Sequence, residues 1–325
     1  MITVYTLAHG RLEKGDASAL SDAALWIDLL EPTEDEERAV ERLLGIDLPT
    51  REEMQEIEAS SRLYRQQEAI FMTAPVLTAS DTPNPLNTPI AFVLTSGCTV
   101  TVRHATPQPF ATFANRAVKA RALCQTADAV LVELLDTIID RLADVLERIG
   151  FDLESLSRDI FEAPPTAAGT PSGGRRDFRP ILHAIGRSGD LTSKARDSLL
   201  GINRIVTFLM QSDEIQVRKE NRPRVKTMSR DISSLSEHAM FLSGKITFLL
   251  DATLGLINIQ QNDIIKIFSV VAVVFLPPTL IASLYGMNFE IMPELSWPFG
   301  YPFALALMVL SAVLPYLYFK RRGWL

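Results

Sequence analysis

The sequence predicts an α+β domain followed by a long stalk helix and two C-terminal transmembrane helices. Short β-branched and aromatic runs alternate with turn residues before residue 124. From residue 126 apolar residues recur at helical spacing, and two long apolar runs follow. The length of 325 residues allows more than one domain. We expect an α/β domain at 1–124, a helical region with the stalk at 125–263, and a transmembrane domain at 264–325.

Charge and cysteine content exclude several classes of protein. The formal net charge of −7 argues against a nucleic-acid partner, which would favour a basic stripe. Cys98 and Cys124 are the only cysteines, too few for a disulfide framework or a cysteine-based zinc site. They are expected to be buried thiols in a reducing compartment.

The first 124 residues contain five predicted strands and two predicted helix starts. Thr33 with Glu36, and Thr50 with Glu53, have the spacing of capping boxes. The strand runs are rich in valine, isoleucine and aromatic residues, as a half-buried sheet requires. They are ITVYTL, LWIDL, AIFMTAPVL, IAFVLT and TVTVR.

Helical periodicity dominates the next part of the chain. Residues 126–162 carry apolar residues on one face and acids on the other. A proline- and glycine-rich segment at 163–176 predicts a loop or hairpin tip, and a second helical stretch covers about 177–220. After Pro223 no proline occurs until Pro277. This predicts one helix from about Arg224 to Tyr285, roughly 90 Å long at 1.5 Å per residue.

Two apolar runs, 264–285 and 299–319, are long enough to cross a bilayer, which takes roughly 20 residues. Lys266 marks the entry to the first run, and Lys320, Arg321 and Arg322 follow the second. Because basic residues near span ends remain cytoplasmic, both termini are predicted to be cytoplasmic. The loop 286–298 then faces outward.

One helical stripe of the first span collects its small and polar residues. Packing against another membrane helix is one interpretation, because small residues allow close approach. A pore lining, in which oxygens meet a hydrated ion at intervals, is the other. The stripe consists of Asn262, Ile265, Ser269, Ala272, Leu276, Thr279 and Ser283.

The outer loop has an ordinary interpretation for each residue taken singly. Gly286 is typical of a helix C-cap in the left-handed conformation. Asn288 is a common loop residue, and Glu290 and Glu294 are solvated acids at an interface. If the first span lines a pore, however, these residues form the outer mouth of a pathway, with an amide and two carboxylates.

The segment YGMNFEIMPEL, with INIQQNDIIKIFSVVAVVFLPPTLIASLYGMN before it and WPFGYPFALALMVLSAVLPYLYFKRRGWL after it, resembles the CorA family of magnesium channels. The resemblance is specific over about the last seventy residues and weaker in the N-terminal domain. It implies a homopentamer with an α/β cytoplasmic domain and a pore lined by the first span. The family signature is Gly286, Met287 and Asn288.

The resemblance also assigns roles along the chain. Gly286, Met287 and Asn288 would form the selectivity filter, with the amide of Asn288 facing a hydrated ion. Thr279 and Asn262 would form further polar rings. The remaining roles are apolar constrictions at Ile265, Phe268 and Leu276, attraction of cations by Glu290 and Glu294, and regulatory Mg²⁺ binding at Asp231.

The implied function is electrochemically driven Mg²⁺ uptake through the inner (plasma) membrane, gated by intracellular Mg²⁺. Co²⁺ and Ni²⁺ are further ions of the family, and no cofactor is expected. A zinc transporter of the same architecture and a membrane-anchored sensor are the alternatives. No enzyme is predicted, because the chain has no phosphate-binding loop or nucleophile elbow, and its histidines lack a catalytic or metal-binding spacing. They are His9, His104, His183 and His238.

Overall fold

The computed structural model describes residues 1–120, 124–162, 177–211, 217–288 and 297–322. The chain separates into two compact units. The first unit comprises the described residues of 1–165 and 179–250, and the second unit those of 166–178 and 251–325. The predicted domain boundaries at 124 and 263 stay a prediction.

The first unit is built on a seven-stranded sheet in the order β2-β1-β3-β7-β6-β5-β4. All neighbouring strands are antiparallel except β3 and β7, which are parallel. The five predicted strands are confirmed as β1, β3, β5, β6 and β7, whereas β2 and β4 were not predicted. The strands are β1 Ile2–Ala8, β2 Arg11–Gly15, β3 Ala24–Leu30, β4 Leu63–Gln66, β5 Ala69–Thr78, β6 Leu86–Leu94 and β7 Thr99–Arg103.

One face of the sheet packs against short helices. The helices are α1 Glu34–Leu44, α2 Arg51–Gln55 and α3 Ala59–Arg62. Both predicted capping boxes are present: Thr33 caps α1 with Glu36, and Thr50 caps α2 with Glu53. Val40 of α1 and Met54 of α2 join the strand residues in the core of this face.

The other face is covered by α4 Gln108–Lys119, α5 Ala127–Phe161 and α6 Arg179–Met210. Phe113 of α4 packs on Trp26 of β3, with ring centroids 5.1 Å apart. The Thr99 hydroxyl donates to the Ala127 carbonyl over 2.7 Å at the start of α5. A Cβ at Gly201 of α6 would lie 2.5 Å from Pro75, so only glycine permits this approach. The predicted α/β sandwich is therefore confirmed.

A buried ion pair ties the parallel strands together. Arg103 of β7 donates to both carboxylate oxygens of Asp28 on β3, with a shortest distance of 2.7 Å. The Thr101 hydroxyl donates to Asp28 over 2.7 Å as well. Since these groups are almost fully buried, the hydrogen bonds supply the pairing that a buried charge requires.

The predicted long helix is confirmed as α7, Arg222–Tyr285, with 64 residues. It begins two residues earlier than predicted, because Pro223 occupies the first turn, where a missing N–H costs no helical hydrogen bond. The preceding helix α6 ends at Met210, ten residues before the predicted limit. Helix α8, Gly300–Arg321, forms the second apolar helix.

Candidate ion pathway

The predicted stripe lies on an exposed face of α7. Val270 is buried on this helix, and Val274, Ile281 and Tyr285 are half-buried. At about 100° per residue, these four residues occupy the face opposite the stripe. The single chain therefore covers one side of α7 and leaves the stripe side open. The exposed stripe residues are Asn262, Ile265, Ser269, Ala272, Leu276, Thr279 and Ser283.

Two hydroxyls of the stripe have their protons tied to the helix backbone. Ser269 donates to the Ile265 carbonyl over 2.8 Å, and Thr279 donates to the Phe275 carbonyl over 2.7 Å. A hydroxyl has one proton to donate and two acceptor lone pairs. Towards the exposed side these hydroxyls consequently act as acceptors. That polarity suits a cation whose hydration water donates hydrogen bonds.

Large apolar side chains lie between the polar residues along this face of α7. Ile265, Phe268 and Leu276 are 60%, 70% and 66% exposed. Removal of apolar surface from water lowers the free energy by about 25 cal/mol per Å². This surface requires a cover of lipid or of further protein copies.

Two consecutive prolines interrupt the backbone hydrogen bonds of α7 without ending it. Pro277 and Pro278 lie inside the helix. Since proline has no N–H, the carbonyls of Val273 and Val274 lose their usual donors four residues later. Both prolines are half-buried and lie on the covered side. The stripe side keeps its polar pattern.

The signature residues follow the end of α7. The Gly286 N–H donates to the Ala282 carbonyl over 2.9 Å. The left-handed cap expected for Gly286 is wrong, since this residue does not have a positive φ. Its small size matters for another reason: a Cβ would lie 3.1 Å from the Ala282 carbonyl oxygen. Met287 and Asn288 are exposed, whereas Glu290 and Glu294 lie outside the described residues.

Helices α7 and α8 are both long and apolar enough to cross a membrane. Aromatic residues near the start of α8 include Trp297 and Tyr301, and Tyr318 lies near its end, followed by Lys320 and Arg321. Aromatic and basic residues are enriched at the two water interfaces of spanning helices. The pattern of α8 agrees with a membrane span.

The predicted regulatory residue Asp231 is exposed on the part of α7 that belongs to the first unit. It belongs to an acidic group that was not predicted from the sequence, although Asp136, Asp140 and Asp144 have i, i+4 spacing on α5. Burial, and then the charges of Asp136, Asp144 and Asp231, raise the pKa of Asp140 despite the opposing charge of Arg116. Among the described residues, no three side chains of His, Cys, Asp or Glu are arranged to hold a metal ion.

Comparison with known proteins identifies the family. A family model described as CorA-like Mg²⁺ transporter protein matches residues 21–321. The magnesium transport protein CorA of Pectobacterium atrosepticum is 40% identical over 330 residues and matches over the full length of both chains.

Solved structures agree on the fold. The complete CorA magnesium transporter of Methanocaldococcus jannaschii is similar with a TM-score of 0.77 and 20% identity, over 100% of this chain and 99% of that one. The ZntB cytoplasmic domain of Vibrio parahaemolyticus is similar with a TM-score of 0.59 and 9% identity, over 79% of this chain and 97% of that one. At such low identity both likenesses concern the fold alone.

The match of the family model covers strands β3 to β7 and helices α7 and α8, and the match to the Pectobacterium relative covers the full length of both chains. The chain belongs to the CorA-like Mg²⁺ transporter family.

Proposed function

We propose that this chain mediates passive Mg²⁺ uptake through a pore that α7 forms with copies of itself in a homopentamer. The observation that carries the proposal is the open stripe of α7, which lies opposite the covered face and leads to Gly286, Met287 and Asn288. The curated relative, a magnesium transport protein, supports the choice of ion.

The chemistry of Asn288 suits the outer entrance. Mg²⁺ keeps its water tightly in octahedral geometry and dehydrates reluctantly. Neutral amide oxygens from five copies accept hydrogen bonds from this hydration shell without stripping it. A ring of carboxylates would bind the ion too tightly for conduction, which requires binding that is neither too weak nor too strong. Glu290 and Glu294 instead raise the local cation concentration.

The membrane potential supplies the driving force. A potential of about 100 mV stabilises a divalent cation on the negative side by roughly 4.6 kcal/mol. This corresponds to somewhat over a thousandfold in concentration, at about 1.4 kcal/mol per factor of ten. Inward flow therefore requires no chemical reaction, and the protein acts as a channel rather than as an enzyme.

The pathway chemistry favours Mg²⁺ over Zn²⁺. Zinc prefers thiolate and imidazole ligands, whereas the polar groups of the stripe and the mouth are hydroxyl, amide and carboxylate oxygens. Because these groups provide no thiolate or imidazole site that would select zinc, we expect hydrated Co²⁺ and Ni²⁺ to pass together with Mg²⁺.

The basic residues Lys320, Arg321 and Arg322 support an inner-membrane orientation with both termini in the cytoplasm. The first unit then lies in the cytoplasm, where it senses internal Mg²⁺. Asp231 contributes to this sensing at a contact between subunits. Mg²⁺ relieves the repulsion among carboxylates there and holds the pore closed.

Flux into liposomes tests the proposal. Purified protein should form a pentamer by mass measurement and admit Mg²⁺, Co²⁺ and Ni²⁺ when a negative internal potential is imposed. Larger Zn²⁺ flux than Mg²⁺ flux would support the zinc alternative. Absence of flux for all four ions would support the membrane-anchored sensor.

The regulatory part has a separate test. Millimolar Mg²⁺ on the side of the first unit should reduce flux and protect this unit from proteolysis. Asp231→Ala should weaken both effects. The control is Asp22→Ala, because Asp22 is also an exposed acid but is far from Asp231 in the sequence. Indifference of wild-type flux and proteolysis to Mg²⁺ would refute the gating scheme.

A further inference from the structure

Two buried carboxylates hold the beginning of α7 against α5. Asp128 and Glu133 of α5 are 4% and 5% exposed. They contact the turn that leads into α7 and the first turn of α7 itself, through Asn221 and Arg224. These four residues are termed the clamp. They come from parts of the chain about 90 positions apart.

Every carboxylate oxygen of the clamp has a donor. One oxygen of Asp128 accepts from the Asn221 amide at 2.8 Å and from a backbone N–H of the same turn at 3.0 Å, and the other accepts from the Thr126 hydroxyl at 2.6 Å. Glu133 lies 2.5 Å from Arg224 through one oxygen and 2.9 Å from Arg116 of α4 through the other. The clamp thus joins α5 to α7, and Glu133 also links it to α4 through Arg116.

The charged side chains of the clamp stabilise one another electrostatically. Burial opposes the charge of Arg224, but the hydrogen bonds and charges of Glu133 and, to a smaller extent, of Asp136 outweigh it and raise the pKa of this guanidinium. Removing one partner of a buried pair leaves the other charge uncompensated. The clamp therefore gives α7 a fixed position at this end.

The contacts further along α7 are of a different kind. Ala239, Leu242 and Leu249 are buried apolar residues, and apolar contacts are non-directional. The ion pair of Lys245 with Glu154 is at the surface, with Glu154 63% exposed. Packed apolar helices slide over one another in shear motions, whereas a hydrogen-bonded buried pair does not slide without breaking.

We infer that the clamp is the fixed point of the stalk, about which the rest of α7 shifts when the regulatory state changes. This inference rests on the proposed gating by internal Mg²⁺. The clamp residues act as positioning residues: they contact no ion, and they convert a movement between subunits into a movement of the pore end of α7 rather than of the whole helix.

Amide hydrogen exchange on the full-length protein in detergent tests the fixed point directly. In the wild type, residues 222–228 should exchange at the same slow rate with MgCl₂ and with EDTA, while residues 240–250 should exchange faster in EDTA. Glu133→Gln should raise exchange at 222–228 by about tenfold, as loss of a strong local interaction predicts. An equal response of both segments to Mg²⁺ in the wild type would overturn the inference.

Flux in liposomes tests the consequence for gating. Glu133→Gln should shift the internal Mg²⁺ concentration for half-closure by about tenfold, within the usual range of coupling between sites, while maximal flux per folded pentamer is retained. A merely structural role would reduce the amount of folded protein without moving this concentration. The control is Arg38→Gln, which breaks an exposed ion pair with Glu34 on α1.

The outcomes separate the two proposals. Normal Mg²⁺ transport with an unshifted half-closure concentration in Glu133→Gln overturns the clamp and leaves the channel intact. A wild type without Mg²⁺ flux refutes the channel, and the exchange pattern then decides on the clamp. If Glu133→Gln does not fold, Asn221→Ala removes one donor to Asp128 and should shift both readouts in the same direction.

Discussion

The Thr279 hydroxyl donates its proton to the Phe275 carbonyl over 2.7 Å, so its oxygen presents only lone pairs to the open face of α7. Thr279→Val keeps the shape of the side chain and removes this acceptor. We expect Mg²⁺ flux in liposomes to fall by roughly fivefold or more, because one lost hydrogen bond costs about 1 kcal/mol.

Thr279→Ser is the matched variant, since it retains the hydroxyl and the same backbone acceptor. It should keep most of the flux. Equal flux in the valine and serine variants would show that the oxygen of Thr279 does not contact the passing ion.

Asn288→Ala tests the mouth. Without the amide the outer ring loses its acceptors for hydration water, and we expect Mg²⁺ uptake to fall by more than about tenfold, corresponding to 1.4 kcal/mol or more. The protein should remain pentameric, because Asn288 is exposed beyond the end of the helix. Uptake at the wild-type rate would contradict the assignment. Asn84→Ala, at an exposed turn of the first unit, is the control.

Cysteine labelling distinguishes the pore from helix packing. Single cysteines at Leu276 and Thr279 should react with a water-soluble thiol reagent in the assembled protein, whereas cysteines at Val270 and Ile281 should be protected. The native background is low, since burial raises the pKa of both Cys98 and Cys124 to about 12. The same rate at all four positions would favour the packing interpretation.

Asp140→Asn should raise the melting temperature of the full-length protein at pH 7 in EDTA. Because burial and neighbouring acids raise the pKa of Asp140 above its usual value of 3.8, its ionisation disfavours the folded state. The folded state binds more protons than the unfolded state in this range, so its stability falls as pH rises through the raised pKa.

The difference between wild type and Asp140→Asn should therefore shrink as pH falls through the raised pKa of Asp140 and should vanish below 3.8. Thermal unfolding followed by circular dichroism across this pH range measures it, with Asp22→Asn as an exposed control. A constant difference at all pH values would contradict the electrostatic origin of the effect.

The elements with strong local signals were predictable from the sequence. Thr33 and Thr50 carry complete capping boxes, and the five predicted strands have continuous β-branched or aromatic runs. Strands β2 and β4 escaped detection because they lie at the sheet edges, where charged residues such as those of RLEKG are tolerated. Helix α4 begins after Pro107 without a side-chain cap hydrogen bond, so its start has no capping signature.

The functional regions likewise include parts that could be predicted from the sequence and parts that could not. Helical periodicity predicted the stripe of α7, because i+3 and i+4 spacing is local information. The clamp depends on Asp128 meeting Asn221 across 93 positions, which no local pattern encodes. The conformation of Gly286 also escaped prediction, since glycine permits the left-handed cap but does not require it.

The parallel pairing of β3 with β7 bears on the order of events during synthesis. Thr101 and Asp28 are 73 positions apart, and Ser198 of α6 bonds to β5 across 121 positions. The first unit cannot complete its packing until α6 and the part of α7 up to residue 250 have been translated. Since domains generally fold as units in the order of their synthesis, we expect the first unit to fold before α8 has been translated.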